Sequence, residues 1–184
     1  MIAFLSNFLI PALTLVMARE TDWFTTNFSV ISISMARQPE FLLWSIVTGG
    51  YFFYTIPRLF KARSRFQNIK KEAVLFAIAA CMMVLFVLTP YLPAQLPKLS
   101  VVHVLSALLC SLLFFFCLLS LTLKAYWKAP GAYRGSLIAI IGATVFCICA
   151  FLLTGIINTA MEICFVLTAV LLTKHLLYLE EQKI

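Results

Sequence analysis

The sequence predicts an all-α, polytopic membrane protein with six transmembrane helices and both termini in the cytoplasm. Three observations lead to this prediction. The 184 residues are 63% hydrophobic and 11% charged, with a mean hydropathy of +1.03, whereas a soluble domain is roughly half apolar and a quarter charged. Apolar runs of about 20 residues, the length that crosses a hydrocarbon core, recur along the chain. Basic residues are concentrated in alternate connections between these runs.

The apolar runs define a single transmembrane domain over residues 1–184. The first run has no basic residue before it, so we interpret it as a short spanning helix and not as a signal peptide. We expect it to bend near Pro11, because proline removes one helical hydrogen bond. The last two runs are joined by very few residues, so their helices are expected to be antiparallel neighbours. The six predicted helices cover residues 2–18, 41–60, 73–91, 100–123, 136–157 and 161–179.

The positions of the basic residues predict the orientation. Loops rich in Lys and Arg remain cytoplasmic, so both termini are expected inside, in what we take to be a bacterial cytoplasmic membrane. This distribution explains the net charge of +7, and no nucleic-acid partner is expected. Only Arg19, Arg37 and Lys98 fall on the outer side. The basic residues on the inner side are Arg58, Lys61, Arg63, Arg65, Lys70, Lys71, Lys124, Lys128, Arg134, Lys174 and Lys183.

The first outer connection contains the polar stretch TDWFTTNFSVISIS, residues 21–34, which includes the only aspartate of the chain. Phe24, Phe28, Ile31 and Met35 follow one another at spacings of four, three and four residues, which is typical of one face of a helix. The pattern predicts a short amphipathic helix that lies at the outer interface or dips back into the bundle. An irregular loop is the alternative interpretation.

Ionisable and polar residues near the outer membrane boundary form the candidate site. Such residues in membrane helices generally face the interior of the bundle. His103 lies near the start of the fourth predicted helix and Glu162 near the start of the sixth, at the same depth as the polar stretch 21–34. We therefore predict that six residues converge in an outward-facing polar pocket. They are Asp22, Asn27, Ser29, His103, Asn158 and Glu162.

Several chemistries fit this set of residues. The leading hypothesis is that the pocket binds a lipid head group or a small cation and so assists or regulates another membrane component. Alternatively, Asp22, His103 and Glu162 hold a divalent cation such as zinc or manganese, which activates water in a lipid hydrolase or transferase. No HExxH or GxSxG motif accompanies that alternative. A histidine beside a carboxylate can also pass protons.

A structural role is the remaining alternative. Here His103 and Glu162 form one interhelical hydrogen bond that joins the fourth and sixth helices, worth about 0.6–2 kcal/mol in a membrane. The protein is then a purely structural membrane subunit. Expected partners in every case are membrane lipids, together with a membrane-protein partner or a second copy of the chain.

Short motifs along nearly the whole chain resemble a known family. A short first helix is followed by NFSVIS and RQPEFLLW, then by HVLSALLCSLLFF at the fourth helix and INTAMEICFVL at the last. This order resembles the six-helix DRAM/Frag/Sfk membrane family and related uncharacterised bacterial proteins. The resemblance implies a lipid-facing role, because members are linked to lipid organisation, membrane remodelling and GPI-anchor processing. The matching positions are Ser29 or Ser32, Pro39, Glu40, His103 and Glu162.

Overall fold

The computed structural model describes residues 1–19, 21–33, 37–64 and 67–182, with only the backbone of Ser32. Every regular element within these residues is helical, which confirms the predicted all-α class. The helices, in chain order, are α1 (Ile2–Met17), α2 (Phe28–Ser32), α3 (Gln38–Ser64), α4 (Lys70–Leu88), α5 (Pro97–Lys128), α6 (Pro130–Thr154) and α7 (Thr159–Glu181).

Within the described ranges, four helices are long and apolar enough to cross a membrane: α4, α5, α6 and α7. The structure thus supports an integral, multi-pass membrane protein. Helix α1 is apolar but shorter. Helix α3 is 27 residues long, but its tyrosines, glycines, threonines and charged ends reduce its mean hydropathy. The two remaining predicted spans therefore correspond to helices that differ from the four in length or apolarity.

Helices α3, α5 and α7 extend beyond the predicted runs at both ends, whereas α4 and α6 both begin and end earlier than predicted. Pro97 and Pro130 each lie at the first helical position of their helices, where a missing N–H costs nothing. Helix α6 ends at Thr154 and is capped by Gly155, whose φ of 71° is left-handed and favours glycine. The short connection that follows makes α6 and α7 packed neighbours, as predicted.

The predicted disturbance at Pro11 takes the form of a π-helical segment, Leu5–Leu9, inside α1. Proline has no N–H, and its ring clashes with the carbonyl group four residues earlier in a regular helix. The wider turn directly before Pro11, in which the Ile10 N–H reaches the Leu5 carbonyl, accommodates the ring without a sharp break in the helix.

Helix α2 is the short helix predicted in the first outer connection, but it comprises only Phe28–Ser32. Asn27 begins it by accepting a hydrogen bond from the Val30 N–H at 3.0 Å, as helix-capping residues do. Phe28 and Ile31 are 3% and 5% exposed, so this part of the predicted apolar stripe faces the bundle. Phe24 lies in a turn and is 50% exposed, and Met35 lies outside the described residues.

The bundle packs α3 against α1 and α7, α4 along α5, and α6 between α5 and α7. One apolar core lies beside α2 and includes Phe28, Trp44 and Val170. A second core lies nearer the opposite end and includes Leu59 and Leu121. Large apolar side chains cover the outside of the bundle; for example, Leu153 is 86% exposed. An exposed apolar exterior of this kind is suited to lipid contact.

The end of the bundle that carries the buried Arg63, which we call the basic end, is held together by ion pairs. The Arg63 side chain is 1% exposed, and its Nε lies 3.1 Å from Glu180 Oε1. The Tyr133 hydroxyl donates to the same oxygen at 2.7 Å. Lys124 Nζ lies 2.6 Å from Glu72 Oε1. These contacts join α3 to α7, α6 to α7, and α4 to α5.

Candidate functional site

The opposite end, which we call the site end, is organised by the chain segment that precedes α2. The first N–H groups of a helix have no partners within the helix. In α7, the Thr159 N–H donates to the Thr26 carbonyl at 2.7 Å, and the Thr159 hydroxyl donates to the same carbonyl at 2.9 Å. Asn158 caps the next turn by accepting from the Met161 N–H at 3.1 Å. These bonds fasten the first outer connection to the start of α7.

Ser29 on α2 contacts His103 on α5. The Ser29 Oγ lies 3.0 Å from His103 Nε2, and the other ring nitrogen, Nδ1, lies 2.8 Å from the backbone carbonyl oxygen of Thr89. The His103 side chain is only 2% exposed. Phe86 and Tyr91 flank its ring, with centroid distances of 5.8 and 5.6 Å. Both nitrogens of the imidazole therefore have hydrogen-bond partners, and two aromatic rings pack against it.

The partners of His103 determine its hydrogen-bonding roles. A backbone carbonyl only accepts, so Nδ1 carries a proton and donates to Thr89. In the neutral imidazole Nε2 then has a lone pair, and the Ser29 hydroxyl donates to it. A hydroxyl group that donates to a fixed imidazole nitrogen is the arrangement from which histidine can withdraw a proton.

Glu162 in the first turn of α7 holds the other side of α2. Its Oε2 accepts a hydrogen bond from the Phe28 N–H at 2.7 Å. The Phe28 ring packs edge to face on Trp44 of α3, with a centroid distance of 5.1 Å. Since Phe28 and Ser29 are adjacent, α2 joins the Glu162 side of the bundle to the His103 side.

A cavity of about 160 Å³ lies beside α2, between α3, α4, α5 and α7. Phe28, Ser29 and Glu162 line it at the site end. An apolar cavity of about 150 Å³ holds a benzene-sized group, so this cavity can hold a short stretch of hydrocarbon. Aromatic residues provide much of the remaining wall, among them Trp44, Phe52, Phe76, Phe86, Phe114 and Phe165.

Two hydroxyl groups on α3 also line the cavity. Ser45 and Thr48 are 7% and 6% exposed, and within the described ranges neither Ser45 Oγ nor Thr48 Oγ1 has a hydrogen-bond partner. A buried hydroxyl without a partner costs about 1–3 kcal/mol. The polar atom of a bound molecule would remove that cost.

The six predicted site residues divide into three groups. Ser29 and Glu162 line the cavity, and His103 lies directly behind Ser29. Asn27 and Asn158 are helix caps. Asp22 is exposed, and its Oδ1 accepts a hydrogen bond from the backbone N–H of Phe24, two residues further along the chain, at 2.9 Å.

The predicted metal ligands Asp22, His103 and Glu162 do not form a ligand cluster. Among the residues with described positions, no group of three His, Cys, Asp or Glu side chains could hold a metal ion. Physically, Asp22 is committed to a local turn, while both nitrogens of His103 have other partners.

The predicted direct hydrogen bond between His103 and Glu162 is also replaced. In the described part of the chain, His103 bonds to Ser29 and Thr89, and Glu162 bonds to the backbone of Phe28. The sequence did not reveal that α2 would lie between them. Both ionisable side chains bind α2 instead of each other.

Sequence reasoning missed the carbonyl of Thr89 and the hydroxyl groups of Ser45 and Thr48. A backbone carbonyl leaves no signal in a sequence. The two hydroxyls do leave one, because Ser45 and Thr48 are three residues apart on one helix, and residues at this spacing share a face.

Comparison with known proteins gives no match: no family model, curated protein or solved structure is detectably similar to the chain. The resemblance to the DRAM/Frag/Sfk family stays a prediction. The class of the protein is therefore defined by its fold and composition, as an integral, multi-pass helical membrane protein.

Proposed function

We propose that this protein binds a membrane lipid at the site end, with part of an acyl chain in the aromatic cavity and the head group beside Glu162 and Ser29. The single observation that carries the proposal is the cavity itself. Its wall is apolar over most of its extent and has a carboxylate and a serine at one end. That distribution matches the two parts of an amphiphile.

The polar groups favour a head group that donates hydrogen bonds. The Glu162 carboxylate is an acceptor, and within the described chain it has no ion-pair partner. The basic residues of the first outer connection are already engaged, because Arg19 and Arg37 both pair with Glu40, at 2.6 and 3.3 Å. An ammonium or hydroxyl head group is therefore better suited to the site than an anionic one.

The proposed topology retains six spans, with α1 and α3 crossing the membrane beside the four longer apolar helices. Both termini then lie in the cytoplasm of a bacterial cell, with the basic end inside and the site end outside. A fluorescent-protein fusion and an alkaline-phosphatase fusion at the C-terminus test this, since each is active on only one side. Phosphatase activity with no fluorescence would overturn the orientation. A membrane-protein partner or a second copy of the chain stays a prediction.

Native mass spectrometry tests lipid binding directly. Purified wild-type protein is mixed with phosphatidylethanolamine or phosphatidylcholine, which have the same net charge but differ in ammonium hydrogen-bond donors. We expect phosphatidylethanolamine to be retained preferentially by the wild type. Glu162→Gln should reduce this preference, because it replaces one of the two acceptor oxygens with an amide nitrogen that only donates hydrogen bonds.

A matched pair of variants on α4 separates the cavity from the general lipid-covered surface. Ala80 lines the cavity, whereas Ala77 on the same helix is exposed on the outside. Ala80→Leu fills the cavity and should weaken retention about tenfold, equivalent to about 1.4 kcal/mol. Ala77→Leu should leave retention unchanged. Equal retention by both variants and the wild type would overturn the proposed function.

A further inference from the structure

We propose that Ser29 and His103 are a nucleophile and base that cleave an acyl ester of the lipid held in the cavity, so that the protein is a lipid acyl hydrolase or acyltransferase. Because the substrate is the bound lipid, this activity rests on the proposed function. Ser29 and His103 would be its catalytic residues, and the Thr89 carbonyl would position the imidazole.

The geometry supplies two elements that serine nucleophiles need, a base within reach and a group that orients the base. The nucleophile and base are within hydrogen-bond distance, at 3.0 Å, inside the range of about 2.6–3.2 Å for such pairs. The base is oriented by a third group, the Thr89 carbonyl at 2.8 Å. That carbonyl fixes the tautomer in which Nε2 can accept the Ser29 proton.

The placement of the two residues also fits this chemistry. Ser29 is on the cavity wall, where it can reach a bound molecule. His103 lies behind it and is 2% exposed, so bulk water has little access to its ring.

The reaction balances without an electron donor or acceptor. Ser29 Oγ attacks the ester carbonyl carbon as its proton passes to His103 Nε2. The bond from the carbonyl carbon to the leaving oxygen then breaks, and the leaving alcohol takes the proton from Nε2. The acyl group remains on Ser29 Oγ until water, or a hydroxyl group of another lipid, loses a proton to Nε2 and attacks. A fatty acid or a transferred ester is released, and the serine is restored.

The location near the head-group level is consistent with an ester substrate. His103 is six residues beyond Pro97, the first residue of α5, and therefore about 9 Å along the helix from that end at about 1.5 Å per residue. Acyl esters of membrane lipids lie between the head group and the hydrocarbon. An ester at this depth leaves its chain directed toward the aromatic part of the cavity.

An alkyl fluorophosphonate tests the nucleophile, because it forms a covalent bond with activated serine hydroxyls. Full-length protein in nanodiscs is incubated with the probe, and the adduct is measured by intact mass and located by peptide mapping. We expect one adduct on Ser29. Ser29→Ala should abolish it, and His103→Gln should slow its formation at least about 100-fold, the lower bound of typical general-base contributions.

Controls use residues distant from the site. Ser64 and His175 are exposed, Ser64 lying at the basic end of α3 and His175 late in α7, so Ser64→Ala and His175→Gln should label like the wild type. Thermal unfolding of His103→Gln shows whether the variant is folded. If it is not, wild-type labelling in D₂O provides the second readout, and the rate should fall because the proton passes from Ser29 to His103 Nε2 in the step that is measured.

The outcomes separate this activity from the proposed function. Retention of phosphatidylethanolamine without any adduct on Ser29 would overturn the activity and leave lipid binding intact. An adduct that forms equally fast in His103→Gln would also overturn it, because the serine would then need no base. Absence of lipid retention as well as labelling would overturn both.

Discussion

The two ends of the bundle use polar residues in opposite ways. At the basic end, charged side chains pair with one another: Arg63 pairs with Glu180 in the interior, and the partly exposed Lys124 pairs with the buried Glu72. At the site end, Ser29 and His103 share a hydrogen bond, and Glu162 binds a backbone N–H.

The difference lies in what each set of contacts encloses. Arg63 and Glu180 meet among packed side chains of four helices, so their contact closes the bundle. Ser29 and Glu162 border an open cavity, so their contacts leave space for another molecule. Buried ion pairs between helices are therefore expected to maintain the fold here, whereas the hydrogen-bonded groups are expected to serve binding and chemistry.

The largest expected effect tests the structural role of the basic end. Arg63→Met leaves the Glu180 carboxylate buried without its cationic partner, which should lower the free energy of unfolding by about 3–5 kcal/mol. Arg58→Met is the control, since Arg58 and Glu181 are each about half exposed and such pairs contribute about 0–1 kcal/mol. Denaturant titration in mixed micelles measures both. Equal losses in the two variants would contradict the assignment.

A smaller effect is expected at the contact between α7 and α2. Glu162→Ala leaves the buried Phe28 N–H without an acceptor, which should cost about 1–3 kcal/mol. Glu162→Gln retains an amide oxygen for this bond and should cost less than about 1 kcal/mol. The same titration distinguishes them. A similar cost for both would show that the hydrogen bond to the Phe28 N–H does not account for the stabilisation of α2.

Ser29→Ala should change stability still less. It removes one hydrogen bond between helices, a contribution of about 0.6 kcal/mol on average in membranes. Labelling by the fluorophosphonate should nevertheless disappear. If Ser29→Ala were strongly destabilised while His103→Gln folded normally, Ser29 would be a structural contact. The site end would then resemble the basic end, where polar contacts maintain the fold.

The smallest effect is expected for Asp22→Asn. The amide oxygen can still accept from the Phe24 N–H, and the side chain is exposed, so stability should change by less than about 0.5 kcal/mol. Retention of phosphatidylethanolamine should equal that of the wild type. Reduced retention would show that Asp22 takes part in lipid binding although it does not line the cavity.

Part of the site could be predicted from the sequence because membranes make polar residues informative. His103 and Glu162 stand out within apolar runs, and their burial toward the bundle follows from the cost of exposing them to lipid. The spacing of Phe28 and Ile31 likewise predicted which face of α2 is buried. Ser29 was included in the predicted site because it lies in the polar stretch 21–34.

The remaining features depend on distances between helices, which a single sequence does not contain. The aromatic residues that line the cavity are of the same types as those that fill a closed core, so the sequence does not show that a cavity is present. Arg63 was attributed to membrane topology, because its partner Glu180 is 117 residues away. Asp22 was placed in the pocket by proximity in the sequence, but its local turn directs the carboxylate to its own backbone.

Photo-crosslinking tests directly whether an acyl chain of a membrane lipid occupies the cavity. Phosphatidylethanolamine with a diazirine in the middle of one acyl chain is incorporated into nanodiscs with the full-length protein, irradiated and mapped by mass spectrometry. We expect adducts on cavity residues such as Phe52 and Met83, at a yield that falls in Ala80→Leu and is unchanged in Ala77→Leu. Adducts confined to the lipid-facing exterior, with equal yield in both variants, would contradict a lipid site in the cavity.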